Sequence, residues 1–72
     1  MAELTHRDYD VLERAVQFGH RIIVYRRGTE YIVIPERLTV RERREAIEAR
    51  NPTTGDHLTL FIDELDGLEV VR

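Results

Sequence analysis

The chain has no cysteine, serine, lysine or tryptophan among its 72 residues, and all 11 of its basic side chains are arginine. Without cysteine it can form no disulfide and no thiolate, and without serine it also lacks the other common catalytic nucleophile. No apolar run approaches the ~20 residues that a membrane-spanning helix needs. These absences exclude a disulfide-stapled scaffold and a spanning helix, and we expect no enzymatic activity.

A metal site is not expected either. The three histidines are far apart in the sequence and show no ligand spacing. An acidic stretch near the carboxyl end offers oxygens that a divalent cation would accept, but its leucines and glycine are typical of an ordinary turn. Its members are Asp63, Glu64, Asp66 and Glu69. We therefore predict no metal and no cofactor.

Size and composition favour one small domain over residues 1–72. The hydrophobic fraction of 42% suffices for one modest core. Chains this short often gain stability by association, so a homo-oligomer is a candidate state. The first residues lack the basic-then-apolar order of a secretory signal, and we expect a soluble cytoplasmic protein with no membrane partner.

Charge is spread unevenly along the chain. Residues 1–20 carry two arginines and four acidic residues, residues 21–50 carry eight arginines and five glutamates, and residues 51–72 carry one arginine and five acidic residues. The formal net charge of -3 argues against non-specific binding of nucleic acid. The basic middle segment either forms one positive face or pairs with its neighbours across strands.

The pattern predicts one helix over residues 6–18. Thr5 is a good N-cap, and Asp8 places a carboxylate on the first turn, as in a capping box. Gly19 ends the helix because glycine takes the left-handed C′ conformation at little cost. The apolar side chains that share one helical face are Tyr9, Leu12, Ala15 and Val16.

Short β-branched or alternating runs, separated by turn signals, predict strands at about 21–26, 30–40, 57–62 and 67–71. Pro35 lies inside the second run and marks an edge, a bulge or a bend, because proline cannot donate to a ladder. In this run Tyr31 and Val33 share one face, and Ile32 and Ile34 share the other. Since both faces are apolar, we expect the helix to cover the outer one, with an oligomer partner as the alternative.

Several short segments, in order, match one known family. They are Leu12-Glu13-Arg14-Ala15-Val16, Ile23-Val24-Tyr25-Arg26, Val33-Ile34-Pro35-Glu36-Arg37-Leu38, Ile47-Glu48-Ala49 and Leu60-Phe61-Ile62-Asp63-Glu64-Leu65. Together they resemble a WYL domain, the Sm-like barrel usually attached to bacterial winged-helix transcription regulators. The resemblance implies a small bent barrel that senses nucleotides or single-stranded nucleic acid.

The chain departs from the WYL pattern at the positions that line the family's ligand groove. Glu45 and Ala46 stand where the family has tryptophan and tyrosine, and Tyr31 stands where an arginine is usual. Glu64 replaces the arginine of the closing turn. The resemblance is therefore to a reduced, stand-alone form, for which we expect no DNA reading of the winged-helix kind.

Residues 41–50 fit two structures. Their arginines, glutamates and alanines favour a helix, which Asn51-Pro52 would end. The apolar positions give a poor helix face, whereas in a strand Ile47 and Ala49 share one side. Because the WYL resemblance favours the second structure, we predict a strand at 44–50 after a charged tip that begins at Arg41.

A helix followed by five strands is the smallest set that closes into an Sm-like or SH3-like barrel. We therefore predict a mainly-β fold, with one N-terminal helix and a five-stranded, strongly bent antiparallel barrel. The alternative is an α+β fold with the order α-β-β-α-β-β, in which residues 41–50 are helical.

The predicted function is a small non-enzymatic binding module. Planar guanidiniums beside tyrosines suit a phosphate backbone and stacked bases, so the candidate ligand is a nucleotide or single-stranded nucleic acid. The same arginines could instead be solvated and paired with glutamates, contributing little. The alternative function is a protein-interaction or self-assembling barrel that uses an apolar strand edge. The candidate binding residues are Tyr25, Arg26, Arg27, Tyr31, Arg37, Arg43 and Arg44.

Overall fold

Helix α1 spans His6–Phe18 in the computed structural model, which describes residues 4–71. The Thr5 hydroxyl accepts a hydrogen bond from the Asp8 N–H, and the Asp8 carboxylate accepts one from the Thr5 N–H, so the capping box is confirmed. Gly19 follows with a left-handed φ of 70°. Within residues 4–71, no helix has the length and apolar character needed to span a membrane.

Five antiparallel strands form one sheet in the order β4-β3-β2-β1-β5. A three-residue 3-10 helix, Ile62–Glu64, joins the fourth strand to the fifth. The strands are β1 (Ile22–Arg26), β2 (Thr29–Arg41), β3 (Arg44–Arg50), β4 (His57–Phe61) and β5 (Gly67–Val70). The predicted mainly-β, barrel-like fold is confirmed, and the alternative α-β-β-α-β-β order is wrong. The predicted domain also takes in residues 1–3 and 72, which lie outside the described residues.

The contested segment is the third strand of this sheet. In β3, Ile47 stands opposite Leu38 of β2 on one side and opposite Leu60 of β4 on the other. Ile47 and Ala46 are each 0% exposed, and Ala49 is 1% exposed. Burial on both faces and two hydrogen-bonded neighbours outweigh the helical propensity of the arginines and glutamates.

Strand β2 bends at the proline that the sequence singled out. The register with β3 shifts between Pro35 and Arg37, so Glu36 forms a bulge. An extra residue in one strand increases the local twist and changes which face the following side chains occupy. Before the bulge Ile32 and Ile34 face outward, and after it Arg37 and Thr39 do so, opposite Glu48 and Ala46 of β3.

The core lies between α1 and the inner face of the bent sheet. Leu12 and Ala15 of the helix join the buried set Ile22, Val24, Val33, Ile47, Ala49, Leu60, Ile62, Leu65 and Leu68. The expectation that α1 covers the outer face of β2 is wrong, because the helix packs on the inner side and Ile32 is left 50% exposed.

Candidate functional site

The sheet brings three of the seven predicted binding residues into one connected group. Arg26 ends β1, Tyr31 lies near the start of β2, and Arg44 begins β3. Arg44 contacts Phe61 of β4 and the two acidic residues of the 3-10 helix, Asp63 and Glu64. Arg26 contacts Tyr31 and Glu64. We call this group of six residues the arginine end.

Arg44 is the most heavily bonded side chain of the arginine end. Its Nε and Nη2 donate to the two carboxylate oxygens of Asp63 at 2.8 and 2.6 Å, and Nη2 also donates to Glu64 Oε2 at 3.0 Å. These hydrogen bonds lower the pKa of Asp63 and raise that of Arg44. Arg44 and Asp63 are therefore both charged at neutral pH.

Arg26 also reaches the Glu64 carboxylate, from the opposite end of β2. Its Nη2 donates to the Tyr31 hydroxyl at 3.3 Å, and its Nη1 lies 3.8 Å from Glu64 Oε1. Glu64 therefore links two guanidiniums, one through each oxygen. Its side chain is 28% exposed, against 32% for Arg26 and 34% for Arg44, so the link is half-buried at the surface.

Each of these two guanidiniums also lies over an aromatic ring. The guanidinium carbon of Arg44 is 3.8 Å from the centre of the Phe61 ring, and that of Arg26 is 5.0 Å from the centre of the Tyr31 ring. A ring face attracts a cation within about 6 Å and holds the planar group against it. The arginine end thus holds two oriented guanidiniums, each backed by an aromatic ring.

The turns beside Arg26 and Arg44 carry the chain's left-handed non-glycine residues. Within residues 4–71 these are Arg27, Glu42 and Arg43, with φ of 51°, 53° and 64°. Arg27 is followed by Gly28 at φ 78°, so each turn has two successive positive φ values, as in a type I′ hairpin. Such conformations are costly for residues with a side chain and concentrate at functional sites.

Arg27 and Arg43, both predicted binding residues, project from these turns and are exposed. The Arg27 N–H donates to Asp66 Oδ2 at 3.1 Å. Among residues 4–71, neither guanidinium lies within ion-pair distance of a carboxylate. Each is the chain neighbour of an arginine bonded to Glu64, so they flank the arginine end.

Arg37 lies elsewhere, on the outer face of β2. It donates to Glu48 Oε2 of β3, and Arg41 donates to Glu48 Oε1 at 2.7 Å. Both hydrogen bonds lower the pKa of Glu48, and the one from Arg37 has the larger effect. Next to this pair, Glu36 lies 3.6 Å from Arg50 and 3.3 Å from His57. The outer face of β2, β3 and β4 is therefore a surface of mutually paired charges.

Tyr25 is also separate from the arginine end. It faces outward from β1, and its hydroxyl donates to Glu69 of β5. That bond raises the pKa of Tyr25 to about 12. The Tyr25 side chain therefore links β1 to β5.

The sequence analysis did not place Phe61, Asp63 and Glu64 in the binding site. Asp63 was recognised only as part of an acidic stretch, and Glu64 also as the residue that replaces the arginine of the WYL closing turn. The structure shows that the acidic stretch divides among several partners. Asp63 and Glu64 bind Arg44, Asp66 accepts from the Arg27 N–H, and Glu69 accepts from Tyr25. Across residues 4–71, no group of three or more histidine, aspartate or glutamate side chains could hold a metal ion.

Comparison with known proteins adds no assignment. No protein-family model matches the chain, and no curated protein matches it. The resemblance to a WYL domain therefore stays a prediction.

Proposed function

We propose that this chain is a non-enzymatic, cytoplasmic binding module, similar to a reduced WYL-type domain, and that the arginine end holds a nucleotide or single-stranded nucleic acid. The observation that carries the proposal is the pair of ring-backed guanidiniums, Arg26 over Tyr31 and Arg44 over Phe61, joined by Glu64.

The chemistry of these groups supports such a ligand. A guanidinium offers a rigid fork of donors that matches phosphate oxygens in a bidentate way. Its planar face and the aromatic rings also provide surfaces on which bases stack, largely independently of sequence. Arg27 and Arg43, which flank the arginine end, would add positive charge along the path of a strand.

A binding role also accords with what the chain offers for chemistry. It has no cysteine and no serine. Among residues 4–71 no charged or polar side chain is fully buried, so none sits in the enclosed apolar environment that commonly tunes an acid or base for catalysis.

The test is a titration of a fluorescently labelled hexathymidylate at low and moderate salt. We expect binding that weakens as salt rises, because phosphate contacts release counterions. Arg44→Ala should weaken binding about tenfold, since one charged hydrogen-bonding group is lost. Arg14→Ala is the matched control, because Arg14 is an exposed arginine of α1 outside the arginine end. Absence of binding at both salt concentrations would contradict the proposal.

A second candidate function is protein interaction or self-association, supported by the exposed apolar side chains. Ile32 is 50% exposed on the outer face of β2, and Val40 near the end of the same strand is 67% exposed. Neither edge strand, β4 or β5, carries a large apolar side chain of this kind among the described residues. Among the described residues, the large exposed apolar side chains of the sheet thus belong to β2, and Phe18 at the end of α1 is also 63% exposed.

Analytical ultracentrifugation tests this second candidate function, because it measures the oligomeric state. Self-association through β2 predicts a dimer or larger species that Ile32→Glu converts to monomer, with Glu30→Gln as a control at the neighbouring exposed position. A monomer at all concentrations, with no partner co-purifying, would count against it.

A further inference from the structure

The two guanidiniums of the arginine end already hold anionic groups of the chain itself. Asp63 gives both carboxylate oxygens to Arg44, and Glu64 divides its oxygens between Arg44 and Arg26. Two positive charges therefore face two negative charges. An anionic ligand that binds both guanidiniums through these donors competes with those carboxylates.

We propose that Asp63 and Glu64 occupy the place of the ligand's phosphate, and that the ligand class is a terminal phosphomonoester, on a nucleotide or at the end of a strand. This inference rests on the proposed function. It adds to the proposed function that the site prefers a terminal phosphate to the internal phosphodiesters of a strand.

The argument is one of charge and donor geometry. A phosphomonoester carries about -1.5 to -2 charges at pH 7 and offers three strong acceptor oxygens. One such group replaces the charge of both carboxylates and can serve two guanidiniums at once. An internal phosphodiester brings a single negative charge, so it would leave one of the displaced charges unreplaced.

We expect the exchange to leave the backbone of the 3-10 helix in place. Asp63 and Glu64 lie in the 3-10 helix Ile62–Glu64, in which Ile62 is 7% exposed, and the following residue, Leu65, is 1% exposed. The Leu65 N–H donates to the Ile62 carbonyl at 3.1 Å, which closes the turn independently of the two carboxylates. The Asp63 side chain is 55% exposed and can swing into solvent.

Glu48 provides a matched control within the same chain. It too binds two guanidiniums, those of Arg37 and Arg41, but on the outer face of β2 and β3. Among residues 4–71, neither of these arginines lies over an aromatic ring. Glu48→Gln changes the net charge by the same amount as Asp63→Asn and frees arginines outside the arginine end.

The experiment compares four probes on the full chain: hexathymidylate with a 5′-phosphate, the same strand with a 5′-hydroxyl, thymidine 5′-monophosphate, and inorganic phosphate. The wild-type chain should prefer the 5′-phosphorylated strand about tenfold, the scale of one charged hydrogen-bonding group. Asp63→Asn and Glu64→Gln should each raise its affinity about two- to fivefold, as expected when an exposed competing ion pair is removed. Glu48→Gln should leave it unchanged, and circular dichroism verifies that each variant folds.

Each outcome bears on a different statement. If the two strands bind equally and Arg44→Ala weakens both, the proposed function stands and the phosphomonoester inference is overturned. The inference is also overturned if Glu48→Gln raises the affinity as much as Asp63→Asn does. Absence of binding by every probe to wild type and to Asp63→Asn overturns both. Thymidine monophosphate binding as tightly as the phosphorylated strand supports a free nucleotide as the ligand, and weaker binding supports a strand end. Inorganic phosphate binding as tightly as the mononucleotide would overturn recognition of a nucleotide.

Discussion

Single residues of the same type have different surroundings in this protein. Arg44 holds two carboxylates and lies over Phe61, whereas Arg37 shares Glu48 with Arg41. Exposed pairs of this kind contribute little to stability, typically about 0–1 kcal/mol. Their main effect is to fix where each guanidinium points, and at Arg26 and Arg44 that orientation creates the candidate binding surface.

Tyr25 gives a prediction at this scale. The hydrogen bond to Glu69 raises its pKa from 10.0 to about 12, so the phenol stays protonated in the folded chain at pH values where it ionises in the unfolded chain. Because the folded pKa is the higher one, the link stabilises fully below pH 10 and this contribution is lost as pH rises from 10 towards 12.

Tyrosinate absorbance measures this ionisation. The difference between the wild-type and Tyr25→Phe titrations isolates Tyr25, and its midpoint should lie near pH 12 while circular dichroism verifies the fold. In Glu69→Gln the midpoint should fall, since the negative charge is gone. A Tyr25 midpoint near 10 in the folded wild type would contradict the Tyr25–Glu69 link.

At the scale of elements, β3 shows that its surroundings decide its structure. Residues 44–50 are rich in arginine, glutamate and alanine, which favour a helix, yet Ile47 is fully buried between Leu38 and Leu60. A strand places Ile47 and Ala49 on the inner face together, which a helix cannot do. Burial of the inner face therefore overrides local propensity.

Substitutions of two isoleucines test this assignment. Ile47→Ala should destabilise the fold by about 2–5 kcal/mol, because it leaves a cavity in the core. Ile32→Ala is the matched control, since Ile32 also lies within a strand but is 50% exposed on the outer face. Urea denaturation compares the two free energies of unfolding. Equal losses would contradict the placement of Ile47 in the core.

The sequence was sufficient to predict the elements but not the partners within the site. Capping by Thr5 and Asp8, the stop at Gly19 and the break at Pro35 are local effects that depend on a few adjacent residues. The contact between Arg44 and Phe61 depends instead on the register of β3 and β4, in which Phe61 stands opposite Ala46. A one-residue slip would place Phe61 on the other face, so composition alone could not identify it.

The left-handed turn at Glu42 and Arg43 was likewise outside the reach of the sequence. Glu42 and Arg43 form a tight turn without the asparagine or glycine that normally signals one. The segment was predicted only as a charged hairpin tip, because the pairing of Arg41 with Arg44, which leaves two residues for the turn, is fixed by the ladder between β2 and β3.

At the scale of the whole molecule, the curl of the sheet creates the candidate site. Strand β2 has 13 residues and would span about 40 Å if it were straight. Arg26 of β1 stands opposite Thr29 at the start of β2, and Arg44 of β3 stands opposite Arg41 at its end. Both arginines nevertheless reach Glu64. The two basic turns therefore meet only because the sheet bends at Pro35 and closes towards a barrel.

The separation between the two ends of β2 tests this account most directly. The chain has no cysteine, so Thr29→Cys and Arg41→Cys, both at exposed positions, can carry spin labels without further changes. Labels at Arg7→Cys and Gln17→Cys on α1 provide the control, since ten helical residues separate them by about 15 Å in any arrangement of the sheet.

Double electron–electron resonance should give a narrow distribution of distances between labels at positions 29 and 41. After correction for the label tethers, the mean distance should be shorter than the molecule's longest dimension of 30 Å. A mean near the about 40 Å of a straight strand would show that the sheet does not curl, and the arginine end would then not exist.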